Sequence, residues 1–148
     1  MQISYHEGFL SQEFRDAERA DPKINQAIAL EVQKRCGDKE GCQLIEGDRI
    51  TREYVEQGKL PRVEWTKILE HIDHAVKVAG VDHVGLGSDF DGANMPYGME
   101  DATKLPKITE ALLRKGYSEG DVKKILGENT LRVMSDVERV SRELNARK

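Results

Sequence analysis

Val81-Asp82-His83-Val84-Gly85-Leu86-Gly87-Ser88-Asp89-Phe90-Asp91-Gly92 is the stretch that decides the fold. It is short, apolar in its middle and follows a helical pattern directly. We read it as a buried strand that ends near Ser88, with the chain turning outward at Asp89. Just upstream, Trp65, Ile68, Leu69, Ile72, Ala75, Val76 and Ala79 recur at helical spacing and form one apolar stripe. Gly80 is placed to end that helix. At the start of the chain, Met1, Ile3 and Tyr5 alternate with Gln2 and Ser4, the period of a strand. The order strand, helix, strand, helices predicts an α/β protein with parallel strands. Two strands cannot make a sheet buried on both faces, as parallel sheets usually are. The expectation is therefore a set of pieces from a larger α/β architecture.

Between the strands, residues 12–34 are polar and helix-prone, and Asp21-Pro22 marks a turn or helix start. Ile24, Ile28 and Val32 keep helical spacing. Residues 36–61 are charged with scattered glycine and read as loops and short helix outside the core. Beyond Gly92 the tail is helical. Pro106 suits a first turn, and Ile108, Leu112 and Leu113 supply an apolar face ended by Gly116. Ser118 and Asp121 resemble a capping box. Val122, Ile125 and Leu126 follow, with a stop expected at Gly127. Asn129 is positioned to cap a last helix carrying Leu131, Met134, Val137 and Leu144 toward one side.

The chain has 148 residues and a formal charge of −4, with 38% hydrophobic and 34% charged residues. That length suits one domain. The mildly acidic balance argues against a broad nucleic-acid or anionic-membrane surface. No apolar run approaches the roughly 20 residues that span a bilayer. Residues 1–7 lack the basic start and apolar core of a signal peptide, and the direct opening into a strand suggests sequence missing before Met1. Cys36 and Cys42 lack the nearby partners of a zinc site. A local disulfide is geometrically feasible, but we read them as free thiols of a reducing compartment. The lack of a signal-peptide pattern leads to the expectation of a cytoplasmic chain.

Catalytic groups of parallel α/β folds sit at the C-terminal ends of strands. A carboxylate there can take a proton, bind an ammonium or face a metal. Spacing alone leaves Asp89 either such a group or a strand terminator, and Asp91 a loop-bending residue with Gly92. A dinucleotide fingerprint fails because position 90 is Phe and no helix start follows. A calcium loop fails at Ala93 and Asn94, and the other parts of a kinase signature are missing. His71 and His74 share i, i+3 spacing on the helix, without a carboxylate or Cys to complete a site. His74 reads as solvated, His71 as an edge residue, His83 as structural and His6 as a surface residue.

The run from Leu69 through Asp89-Phe90-Asp91-Gly92 resembles the C-terminal signature of the membrane (renal) dipeptidase family. So do Met95-Pro96-Tyr97-Gly98-Met99-Glu100-Asp101, Gly116-Tyr117-Ser118, the run Lys124 to Val133, and the opening Tyr5 with Gly8-Phe9-Leu10-Ser11. The resemblance covers most of residues 1–11 and 61–134. It implies a (β/α)8 TIM-barrel, amidohydrolase-like fold, of which this chain would be the incomplete, helix-rich C-terminal part. Residues 11–60 would be a variable helical insertion, 61–92 a helix and the final strand, and 103–148 the C-terminal helices. The implied activity is dipeptide hydrolysis by a metal-bound hydroxide at two zinc ions. Asp89 matches the family's substrate-side aspartate and candidate proton shuttle, and Tyr5 an aromatic that lines the substrate pocket. The family's ligands are a His-x-Asp pair, a bridging glutamate and two later histidines, with a clamping arginine and a further histidine beside them. All lie upstream of the matching segment, so no residue here carries over as a zinc ligand. A barrel needs roughly 200 residues or more. The chain is therefore expected to be inactive alone. Its expected partners are a dipeptide substrate and a missing N-terminal half. The other reading is a non-catalytic helical interaction or oligomerising fragment.

Overall fold

The computed structural model describes residues 1–90 and 92–146. Asp91, read above as a loop-bending residue, lies outside them. The fold is helix-rich α/β. Its elements are β1 (Gln2–Ser4), α1 (Glu7–Leu10), α2 (Gln12–Ala20), α3 (Pro22–Cys36), α4 (Glu40–Glu56), α5 (Thr66–Ala79), β2 (Gly85–Gly87), α6 (Pro106–Arg114), α7 (Glu119–Lys123) and α8 (Asn129–Asn145). The chain forms two compact units, one of residues 1–3, 69–87 and 106–148, the other of residues 4–68 and 88–105.

In the first unit, β1 pairs with β2. Gly85 N–H donates to Met1 C=O at 2.9 Å, and just past the strand ends, within the second unit, Tyr5 N–H donates to Ser88 C=O at 3.4 Å; the paired positions rise together along the chain, so the strands are parallel. The strand is shorter than its apolar run. Val81–His83 forms a 3-10 turn, because Gly80 leaves α5 at φ 86 and the chain must reverse before it can pair. The α5 stripe buries Ile72 and Ala75 as its spacing predicts, and His74 is exposed while His71 is half-buried. Pro106 opens α6, whose Ile108 and Leu112 are fully buried. Ser118 caps α7 by accepting from Asp121 N–H at 3.1 Å, while its hydroxyl donates to the Asp121 carboxylate.

Gly127 interrupts the helix as expected: its backbone is non-helical, at φ 174 and ψ −25, and marks a kink within Lys124–Glu128 before α8. One tail expectation is corrected. Asn129 does not cap α8. It is buried, and its amide donates to Val81 C=O at 2.7 Å and Val84 C=O at 2.9 Å, tying the start of α8 to the approach to β2. Removing the amide breaks both bonds and leaves Val81 C=O only the 3.4 Å bond from Val84 N–H. Asn129→Ala is expected to lower unfolding free energy by about 2–4 kcal/mol, read from denaturant midpoints. On α8, Leu131, Met134, Val137 and Leu144 are all exposed.

In the second unit the largest correction concerns residues 36–61. They form the 17-residue helix α4 and contribute Cys36, Ile50, Thr51 and Leu60 to the buried interior. Helix α4 packs on α3. Arg35 spans the pair by bonding Glu31, Glu46 and Glu53. Cys36 and Cys42 are joined in a disulfide across the α3–α4 connection, not free thiols as expected. Asp21-Pro22 opens α3 as its residues predict, with the Asp21 carboxylate accepting from Lys23 N–H at 3.0 Å. Among the described residues, no helix is long and apolar enough to cross a membrane.

Candidate functional site

Asp89 follows β2 by two residues and Tyr5 follows β1 by one, so the two parallel strands deliver both at their C-terminal ends. Asp89 is exposed and sits at φ 61, the left-handed region that few side chains accept. Asp is one of those that do. The turn closes with Gly92 N–H donating to Asp89 C=O at 3.2 Å. A side chain at 92 would strike the carboxylate, since a Cβ there would lie 2.6 Å from Asp89 Oδ1. The glycine thus leaves the acid its room.

Tyr5 is fully buried and meets Phe90 edge-on, with ring centroids 5.9 Å apart. Its hydroxyl is buried and has no hydrogen-bond partner among the described residues. Burial pushes its pKa well above the ordinary phenol value. It therefore stays a neutral donor at any physiological pH, and a buried phenol without a partner calls for one.

The loop after Asp89 is held by groups that sequence reasoning passed over. Arg52 of α4 donates to Met95 C=O at 3.0 Å, bonds Asp48 at 2.9 Å and approaches Glu100 at 3.8 Å. Its guanidinium lies 4.8 Å from the centre of the Tyr97 ring, and Arg62 lies 4.1 Å from the same centre. Asn94 donates to the Thr51 hydroxyl at 3.1 Å. Glu7, at 3% exposure, opens α1, and its N–H donates to Asn94 C=O. Burial raises the Glu7 carboxyl to about 8. Arg52 acts against that rise, and Asp48 and Glu18 add to it. The only sequence signal for this cluster was the Asp48–Arg52 i, i+4 pair, which by itself reads as helix surface.

The histidines do not converge. His6 caps α1 by accepting from Gly8 N–H at Nδ1, 2.9 Å away, and its ring lies 5.0 Å from Phe9. His83 is exposed in its 3-10 turn. Among the described residues no group of three or more His, Cys, Asp or Glu side chains could hold a metal ion.

Comparison with known proteins sets this geometry in context. The profile described as membrane dipeptidase (Peptidase family M19) matches residues 2–148. A curated relative, Dipeptidase ataJ of Aspergillus terreus, is 44% identical over 77 residues, covering 51% of this chain and 19% of the relative. A solved metallopeptidase of family M19, dipeptidase AC, is 42% identical, with a TM-score of 0.44, over 48% of this chain and 21% of its own. A metallopeptidase from Rhodobacter sphaeroides, solved with a phosphinate mimic of the dipeptide L-Ala-D-Ala, is 44% identical, with a TM-score of 0.43, over 46% of this chain and 19% of its own. The matched part of this chain thus spans about a fifth of the length of each relative.

Proposed function

This chain belongs to the membrane dipeptidase family, peptidase family M19, and on that premise we propose that it is the C-terminal part of a (β/α)8-barrel zinc dipeptidase. In this reading it supplies the substrate-side groups Asp89 and Tyr5, and the zinc ligands come from polypeptide that the relatives have in addition. The observation that carries the reading is the delivery of an exposed aspartate and an unpartnered buried phenol at the C-terminal ends of two neighbouring parallel strands. Among the described residues no three donors converge, so those residues do not fit a metal. The neighbours of Asp89 in its turn include Phe90 and Gly92, which are not metal donors.

An exposed carboxylate at this position can bind a dipeptide's ammonium, or take and return a proton at the scissile nitrogen. The Tyr5 hydroxyl can donate to a substrate oxygen. Both roles need only these side chains and the substrate. The remaining barrel is the proposed partner, in the same polypeptide or another. Zinc content and dipeptide hydrolysis test the proposal. The 148-residue chain alone is expected to hold no stoichiometric zinc and to turn over no dipeptide, and mixing with the N-terminal portion of a family member is expected to restore both. Hydrolysis by the chain alone would overturn it. The exposed apolar residues of α8 favour a second reading, an association module without catalysis. A monomer in gel filtration that recovers activity on mixing argues against that alternative.

A further inference from the structure

We infer that Arg52 is a positioning residue: from helix α4 it fastens the loop that follows Asp89 and so holds the turn in which that carboxylate is presented. The inference rests on the reading of Asp89 given above. The loop from Gly92 to Glu100 contains no helix or regular strand of its own. Its order comes from outside it. Arg52 grips it at three points, the Met95 carbonyl, the Glu100 carboxylate and the Tyr97 ring. Asp48, one helical turn back, fixes the guanidinium for that task. The neighbouring Thr51 takes the Asn94 amide, and Thr51 is itself anchored by donating to Gly47 C=O at 2.9 Å. Opposite α4, Tyr97 N–H donates to Val63 C=O at 2.9 Å, and Trp65 N–H to Tyr97 C=O at 3.0 Å.

A planar cation with several donors suits this work, because one group can bond a carbonyl, pair with carboxylates and stack on a ring at once. Catalytic groups must be held within about 0.5 Å of their working position, which a loop without supports does not achieve. The hydrogen bond from Gly92 N–H to Asp89 C=O makes the Gly92 amide a direct reporter of the turn. Trp65, the single tryptophan, is a second reporter, since its ring lies against Gly98.

Amide hydrogen exchange by NMR and tryptophan emission test this on the full 148-residue chain. In Arg52→Met, exchange at Gly92, Glu7 and Tyr97 is expected to quicken by about tenfold or more, and Trp65 emission to shift to the red. The Gly85 amide, bonded to Met1 C=O, serves as the control and is expected to hold its protection. Arg52→Lys keeps the charge but not the fork, and is expected to recover part of the loss. Unchanged loop exchange in Arg52→Met overturns the inference. If that variant loses Gly85 protection as well, Thr51→Val decides: selective quickening at Glu7 and Gly92 supports the clamp, and no quickening sinks it. These readouts do not involve turnover. Failure of the clamp therefore leaves the dipeptidase reading standing, and failure of Asp89 in catalysis leaves the exchange result intact.

Discussion

Replacing Asp89 by Asn in the assembled enzyme is expected to lower kcat/KM by about 10²–10⁴-fold, the range for removing a positioned proton-transfer group. The substitution isolates the chemistry from the fold. Asp89 is exposed, so its removal uncovers no interior. Its backbone is left-handed, at φ 61, and Asn accepts that region at least as well as Asp. The amide is nearly the size of the carboxylate, so the room left by Gly92 serves it equally. What Asn cannot do is accept a proton or pair with an ammonium. Asp89→Ala removes the same chemistry and also strains the turn, by about 1 kcal/mol or more. The two variants should therefore match in lost activity, and only the alanine variant should show a lower unfolding midpoint. Steady-state kinetics with a dipeptide, beside thermal unfolding of both, checks this. Near-normal turnover by Asp89→Asn would remove Asp89 from the proposed reaction.

What could be read from the residues alone was local. The α5 stripe, the Ser118 cap and the proline-led starts of α3 and α6 depend on side chains within a turn or two of one another, and each lies where its pattern places it. Asp89 could be singled out because a short apolar run ending in an acid is also a local signal. Its distinguishing conformation, however, depends on Gly92 and the loop beyond. The misread parts depend on long-range partners. Residues 40–56 looked like surface because their charges outnumber their apolar residues, yet Ile50 and Thr51 are buried. Arg52 reaches Met95, 43 residues away, and nothing near it in sequence announces that bond. Asn129 is a good capping residue by type, but two carbonyls near β2 claim its amide. The Cys36–Cys42 bridge turns on how α3 and α4 meet, which their spacing leaves open.

Glu7→Gln is expected to make the protein more stable at neutral and alkaline pH, and by an amount that grows with pH. Glu7 is 3% exposed, and burial raises its carboxyl from the ordinary 4.5 to about 8. A group whose folded pKa lies above its unfolded value favours the fold while protonated. That contribution is complete below about 4.5 and is lost as pH rises through about 8. Each pH unit across the window costs about 1.4 kcal/mol, so wild-type stability should fall by about 5 kcal/mol from this group. Glutamine has nearly the same shape and does not ionise, and Arg52 keeps Asp48 and Glu100 as partners. At pH 7 the variant should therefore be more stable by about 3 kcal/mol, and at pH 5 by less than about 1 kcal/mol. Any other group contributes alike in both proteins, so the difference between variant and wild type isolates Glu7. Urea unfolding of the pair at pH 5, 7 and 8 gives that difference directly. A gap that stays constant across the three would mean that Glu7 is ionised in the fold throughout, with Arg52 outweighing its burial.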